Sequence, residues 1–285
     1  MRNVRAEAEA ILRRVADLPD EEIDLAEAAL ALASFDRPQA ALEPYRRHLA
    51  QLAREVAEAG ASQAADAAGR LGLEAQIRAL YAILADRHGY AGDTVTYDDL
   101  QNANLMEVID RRRGLPVALG ILYIHAARAQ DWTIHGLSFP GHFLVRLQHG
   151  AEQAILDPFH GNRVHEAADL RGLLKAVAGT EAELTPEHYA PVGNRAILLR
   201  LQNNIKLRLI QDHRLERAVE VIERMLLFAP DQATLWREAG IIHAQLGSLR
   251  AASQALETFL SSGAGGDAQR HEAARLLQEL KGQLN

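Results

Sequence analysis

Apolar positions recur at helical spacing from residue 4 to about residue 90, with Ile11, Leu12 and Val15 on one stripe and Ile23, Ala26, Leu30 and Ala33 on the next. Charged residues fill the positions between, so about four amphipathic helices are predicted before Gly89. Pro19 followed by Asp20, Glu21 and Glu22 reads as a helix start with acids where the dipole favours them, and Pro38 and Pro44 mark later boundaries. The small-residue stretch around residues 59–69 reads as a loop or turn. Gly89 to Asp93 is a turn cluster, after which one helix is predicted over Asp98 to Arg113. Pro116 suits the first turn of another helix, where its missing N–H costs nothing, and Val117 to Ala129 supply an apolar body.

The period then changes. Thr133 to Phe139, Phe143 to Leu147 and Ala154 to Leu156 are short apolar runs separated by Pro140-Gly141 and His149-Gly150, the pattern of a small antiparallel sheet. Helices return from Ala167, and nothing but helix is predicted after Pro191. In this tail, Leu215-Glu216-Arg217-Ala218 and Leu249-Arg250-Ala251-Ala252 place similar turns 34 residues apart, the tetratricopeptide period. Trp236 and Gly240 complete the second unit, whereas Gln202 and Lys206 stand in their places in a degenerate first unit. Asp267 to Leu284, with Leu276, Leu277, Leu280 and Leu284 on one side, is predicted to be a capping helix. The division expected is a first domain over residues 1–190 and an all-α repeat tail over residues 191–285.

Composition narrows the chemistry. With no cysteine in 285 residues, disulfides, thiolate metal sites and a thiol nucleophile are excluded. The formal charge of −7 argues against a broad nucleic-acid footprint, with Arg111-Arg112-Arg113 a small local exception. The apolar run from Gly114 to Ile124 is about half of what a bilayer span needs, so no membrane partner is expected. The N-terminus moves directly into charged residues and alanines without a signal-peptide core, which predicts a cytoplasmic location.

The segment Arg112-Arg113-Gly114-Leu115-Pro116-Val117-Ala118-Leu119, then Phe139-Pro140-Gly141-His142-Phe143-Leu144-Val145 and Ile155-Leu156-Asp157-Pro158-Phe159, resembles the bacterial "invasion regulator" family with its transglutaminase-like core. Asp24 to Leu30 resembles that family's N-terminal helical region, and its members often carry tetratricopeptide-like repeats. The resemblance implies an α+β fold: a helical N-terminal region, a transglutaminase-like core with the small sheet, and the repeat tail. It also implies a triad of Cys, His and Asp, of which His142 would be the His and Asp157 the acid. The nucleophile would fall near Ala118, where the chain reads Pro-Val-Ala, and even the serine of many relatives is missing there.

That departure implies a pseudoenzyme acting by protein or peptide binding, with a regulatory role suggested by the family label and no cofactor expected. The alternative is a hydrolase or transferase in which His142 and Asp157 activate water or a hydroxyl without a covalent intermediate. The pair is read either as a structural hydrogen bond left from the triad or as a retained base or ligand site. Arg113 is the first choice for a polar ligand near the helix start; the alternative for the three arginines is a solvated helix end pairing with acids such as Glu107. Asn102 is a cap, a turn residue or a ligand contact. His125, His135, His149, His160 and His165 show no recognised ligand spacing, so no metal site is expected. In the tail, Asn203 and Leu207, then Arg237 and Ile241, are the groove-facing positions, read either as part of a tail packed on its own core, the preferred reading, or as a peptide-binding groove. Leu207 and Ile241 argue against capture of a peptide's C-terminal carboxylate.

Overall fold

The computed structural model describes residues 4–62, 71–161, 163–165 and 167–284, so most of the stretch read as a loop around residues 59–69 lies outside them. The fold is α+β. By contacts the chain forms two compact units, residues 1–8 with 19–201 and residues 9–18 with 202–285.

The first helix, α1 (Val4–Asp17), is shared between the two units; in the first unit, α2 (Leu25–Ser34) is buried along nearly its whole length, and Asp24 caps it by accepting the N–H of Glu27 at 3.0 Å. Asp20, Glu21 and Glu22 form only one 3-10 turn rather than a long helix. The Asp20 carboxylate instead accepts the backbone N–H groups of Asn194 and Arg195 at 2.6 and 2.9 Å, capping a helix more than 170 residues further on. α3 (Glu43–Ala61) and α4 (Leu73–Tyr81), which continues as a π-turn over Ala82–Arg87, complete the N-terminal helices.

The helix predicted over Asp98 to Arg113 is divided. A 3-10 turn at Leu100–Ala103 precedes α5 (Leu105–Arg111), because the Asn104 side chain accepts the N–H groups of Met106 and Glu107 and restarts the helix there. Arg112 then turns left-handed with φ 58°. Beyond it, β2 (Arg113–Gly114) pairs in parallel with β1 (Ala91–Gly92). α6 (Pro116–Arg128) starts with Pro116 in its first turn and is apolar and buried on nearly every side, as expected of a helix in the centre of a core.

An antiparallel sheet of five strands follows, in the order β6-β5-β4-β3-β7. β3 (Thr133–Leu137), β4 (Val145–His149) and β5 (Glu152–Asp157) match the predicted runs, with Gly136 opposite Val145 and Val145 opposite Leu156. β6 (Arg163–His165) and β7 (Pro191–Val192) were not predicted. β7 is a two-residue edge strand, the position in a sheet that tolerates proline. α7 (Ala167–Ala178) separates the two.

One packing detail fixes α6 on the sheet. The Phe143 ring is fully buried, and a Cβ added at Gly120 of α6 or Gly136 of β3 would lie 2.4 or 2.6 Å from it. Only glycine leaves room for the ring at these two points.

α8 (Asn194–Gln211) begins in the first unit and ends in the second. The second unit continues with α9 (Leu215–Phe228), α10 (Ala233–Gln245), α11 (Leu249–Ser261) and α12 (Asp267–Leu284), so the predicted capping helix forms over the expected residues. Ala252, Leu256, Phe259, Ala273 and Leu280 form a shared core under α11 and α12. Gln202 and Lys206, the degenerate repeat positions, are buried; Lys206 donates to Glu238 at 2.5 Å, which neutralises its charge inside the helical stack. No helix among the described residues is long and apolar enough to cross a membrane.

Candidate functional site

β5 ends in Asp157, whose side chain is fully buried, and the turn that follows wraps back over it. Its Oδ1 accepts the backbone N–H groups of Phe159 and His160 at 2.9 and 3.3 Å. Its Oδ2 faces the other way and meets two imidazoles: Nε2 of His142 at 2.9 Å and Nδ1 of His160 at 2.6 Å. The two rings stack with centroids 5.6 Å apart, and Phe159 presents its edge to both.

His142 lies on the loop between β3 and β4, next to Gly141 with φ 65°. Arg200 of α8 holds this loop by donating to the carbonyls of Phe139 and His142 at 3.1 and 2.6 Å, with its guanidinium 5.5 Å from the Phe143 ring. Burial lowers the pKa of Arg200 from its ordinary value. On the opposite side, the Gly92 N–H donates to the Phe159 carbonyl at 2.8 Å, and a Cβ at Gly92 would come within 2.5 Å of the Phe159 ring. The strand pair β1-β2 thereby seats the turn that carries His160.

Pro116, Val117 and Ala118, where a triad would have its nucleophile, are buried and carry neither thiol nor hydroxyl. Burial raises the hydroxyl pKa of Tyr81 and Tyr123; the charge of Asp157 adds to the rise in both, and a backbone hydrogen bond at Asp157 opposes it for Tyr81. The Tyr123 hydroxyl finds no hydrogen-bond partner among the described residues.

The other candidate residues are engaged in framing loops. Asn102 is buried; it donates to the Thr96 carbonyl at 2.7 Å and accepts from Arg111 at 3.1 Å. Arg111 also pairs with Asp93 at 3.1 Å, and Glu107 pairs with Arg37, so the expected partnership of the arginines with Glu107 is replaced by a longer-range one. Hydrogen bonds from the Thr96 hydroxyl and N–H hold the Asp93 carboxyl well below its usual pKa. Arg112 sits over the Tyr90 ring at 4.7 Å, donates to the Tyr90 hydroxyl and lies 2.7 Å from His48 Nε2. Arg113 is exposed and donates to the carbonyls of Gly89 and Arg112 at 2.8 and 2.9 Å, clamping β1 and β2. In the tail, Asn203 and Ile241 are half-buried, Leu207 is exposed, and Arg237 forms an ion pair with Glu272 of α12.

Of the sequence candidates, the fold brings His142 and Asp157 together and adds His160 and Arg200. His160 shared its turn with Asp157 in the sequence, an i, i+3 spacing that carries no signal until the turn is known. Arg200 had no local signal, since its contacts lie 58 and 61 residues away.

The fold and this His–Asp pair at the end of β5 accord with one class. The model described as Transglutaminase-like superfamily matches residues 43–203, and the chain belongs to that superfamily; a second model, Tetratricopeptide repeat, matches residues 205–278. Within it, the relatives are the bacterial proteins that the motifs had suggested. A UPF0162 protein of Vibrio cholerae is 34% identical over 81% of this chain and 84% of its own length, and one from Xylella fastidiosa strain Temecula1 is 33% identical over 65% and 67%. Protein SirB1 of Salmonella typhimurium is 27% identical over 62% of this chain and 65% of its own length.

Proposed function

We propose that this chain is a non-catalytic member of its superfamily that acts in the cytoplasm by binding a protein or peptide, with a regulatory outcome. The observation that carries the reading is the start of α6, where buried Pro116, Val117 and Ala118 offer no nucleophile and the chain supplies no cysteine anywhere. Covalent acyl transfer needs an electron pair at that point, and a methyl group has none to give. The repeat tail supplies a binding surface, with Asn203 and Arg237 as its polar contacts, and the net charge of −7 favours a basic or neutral protein partner over nucleic acid. In this reading the transglutaminase-like domain, expected over residues 1–190, also takes in β7 and the start of α8, and the repeats that follow form the binding tail.

A second reading is favoured by the intact pair itself: at 2.9 Å, Asp157 orients His142 as it would a general base. In that reading Arg113 and Asn102 frame a polar substrate.

One experiment separates the two. Purified protein is incubated with peptidyl-glutamine, ester and amide substrates beside His142→Ala. Turnover at background level for both is expected, together with cellular cross-linking to a specific protein that is lost in an Asn203→Ala, Arg237→Ala double variant. Turnover abolished by His142→Ala sinks the non-catalytic reading.

A further inference from the structure

We propose that His142, Asp157 and His160 form a binding site for one divalent transition-metal ion of the zinc class. This goes beyond the protein-binding reading and does not depend on it.

The geometry rests on convergence. One nitrogen from each imidazole and one carboxylate oxygen lie within 4.8 Å of one another. Both nitrogens approach the same oxygen, Oδ2 of Asp157, at 2.9 and 2.6 Å. A lone structural hydrogen bond would need only one of them. Two imidazole nitrogens and one carboxylate oxygen suit zinc and its first-row neighbours, while calcium and magnesium require shells of oxygen. Donors about 2.0–2.2 Å from a tetrahedral zinc stand roughly 3.3 Å from one another, so each nitrogen needs to draw back from Oδ2 by about half an ångström, with the two nitrogens no more than 4.8 Å apart at the outset. The two histidines sit on loops, which permits that movement.

The surroundings are those of a supported ligand set. Asp157 is fully buried, and its Oδ1 is held by the N–H groups of Phe159 and His160, which aims Oδ2 at the rings. Arg200 fixes the backbone of His142 through its carbonyl. The His160 side chain is 43% exposed, which leaves a path for the ion and a fourth position for water. The ligands come from two segments, the β3–β4 loop and the turn after β5, so a bound ion would tie them together. Binding requires no redox change: each neutral imidazole moves its proton from the nitrogen facing Asp157 to the far nitrogen by exchange with water, and gives the metal the lone pair of the near one.

The test uses the full chain, freed of metal by dialysis against a chelator. Zinc is titrated in by equilibrium dialysis with thermal unfolding in parallel, and Co2+ is used as a visible probe of coordination. One equivalent of zinc, a raised Tm, and Co2+ absorption of low coordination number are expected. His160→Ala, at an exposed position, and Asp157→Asn, which keeps the shape of the site, should each weaken binding by about tenfold or more with the circular dichroism spectrum unchanged. No saturable zinc binding by the parent protein, or binding that survives in both variants, overturns the assignment. Stoichiometry and spectrum read the ion alone, so this outcome is independent of whether the protein captures a partner or turns over an acyl substrate.

Discussion

His142 Nε2 and Asp157 Oδ2 are 2.9 Å apart, although 15 residues forming the β4–β5 hairpin separate them in the chain. The carboxylate in this pair also organises the turn that follows it, through the N–H groups of Phe159 and His160. Asp157→Ala should therefore destabilise the protein by about 3 kcal/mol, because it strands buried donors that were bonded to a charged group. His142→Ala should cost about 1 kcal/mol, since it removes one donor from an acceptor that keeps others. Urea unfolding of both variants measures the difference; equal losses would show that Asp157 does not organise the turn.

The contact between Gly120 and the Phe143 ring predicts a second effect. Alanine is the better helix former by about 1 kcal/mol, so a helical glycine is ordinarily improved by this change. Here the new Cβ would lie 2.4 Å from the ring, an overlap expected to cost about 3 kcal/mol. Gly120→Ala should thus lower stability by about 2 kcal/mol, and the loss should shrink when combined with Phe143→Leu. A double-mutant cycle checks the coupling, and additive effects would refute it.

Tyr123 offers the opposite sign. Its hydroxyl is buried without a partner among the described residues, which leaves the full desolvation cost of that group in the folded state. Tyr123→Phe keeps the ring and its edge contact with Tyr81, and should raise stability by about 1 kcal/mol. A lower Tm for the variant would mean that the hydroxyl is satisfied in solution.

His48 sets a pH dependence. Burial, followed by the positive charge of Arg112 and the neighbouring His88 ring, lowers its pKa to about 4, against the smaller opposing pull of Glu55 and Asp110. Its Nε2 lies 2.8 Å from the Tyr90 hydroxyl, an arrangement suited to the neutral ring. The unfolded chain therefore binds this proton first, and stability should fall as pH drops below about 6.5, with the loss complete near 4. Glu55, whose pKa is lowered to about 2 by hydrogen bonds from Gln51 and His88, adds its own loss only below about 4.5. Between pH 6.5 and 4.5, His48→Gln should flatten the decline in urea midpoint; an unchanged slope would remove His48 as its source.

The sequence by itself determined the local elements. Helical spacing placed the N-terminal helices, Pro116 set the first turn of α6, and the 34-residue period and leucine stripe placed α9 to α12. Alternating apolar runs located β3, β4 and β5, and the motifs around them marked His142 and Asp157 as candidates. These signals are legible because steric preference, capping and one-sided burial act over a few residues. Tertiary structure decided the rest. Asn104 divided the predicted helix while its side-chain amide reached the Ala33 carbonyl 71 residues away. Asp20 capped α8 rather than a helix of its own, β6 and β7 joined the sheet as short additions, and Arg200 and His160 came to the His142–Asp157 pair. Each of these depends on a hydrogen bond or strand pairing that exists only once the chain has closed on itself, and such closure leaves no periodic mark in the residues that make it.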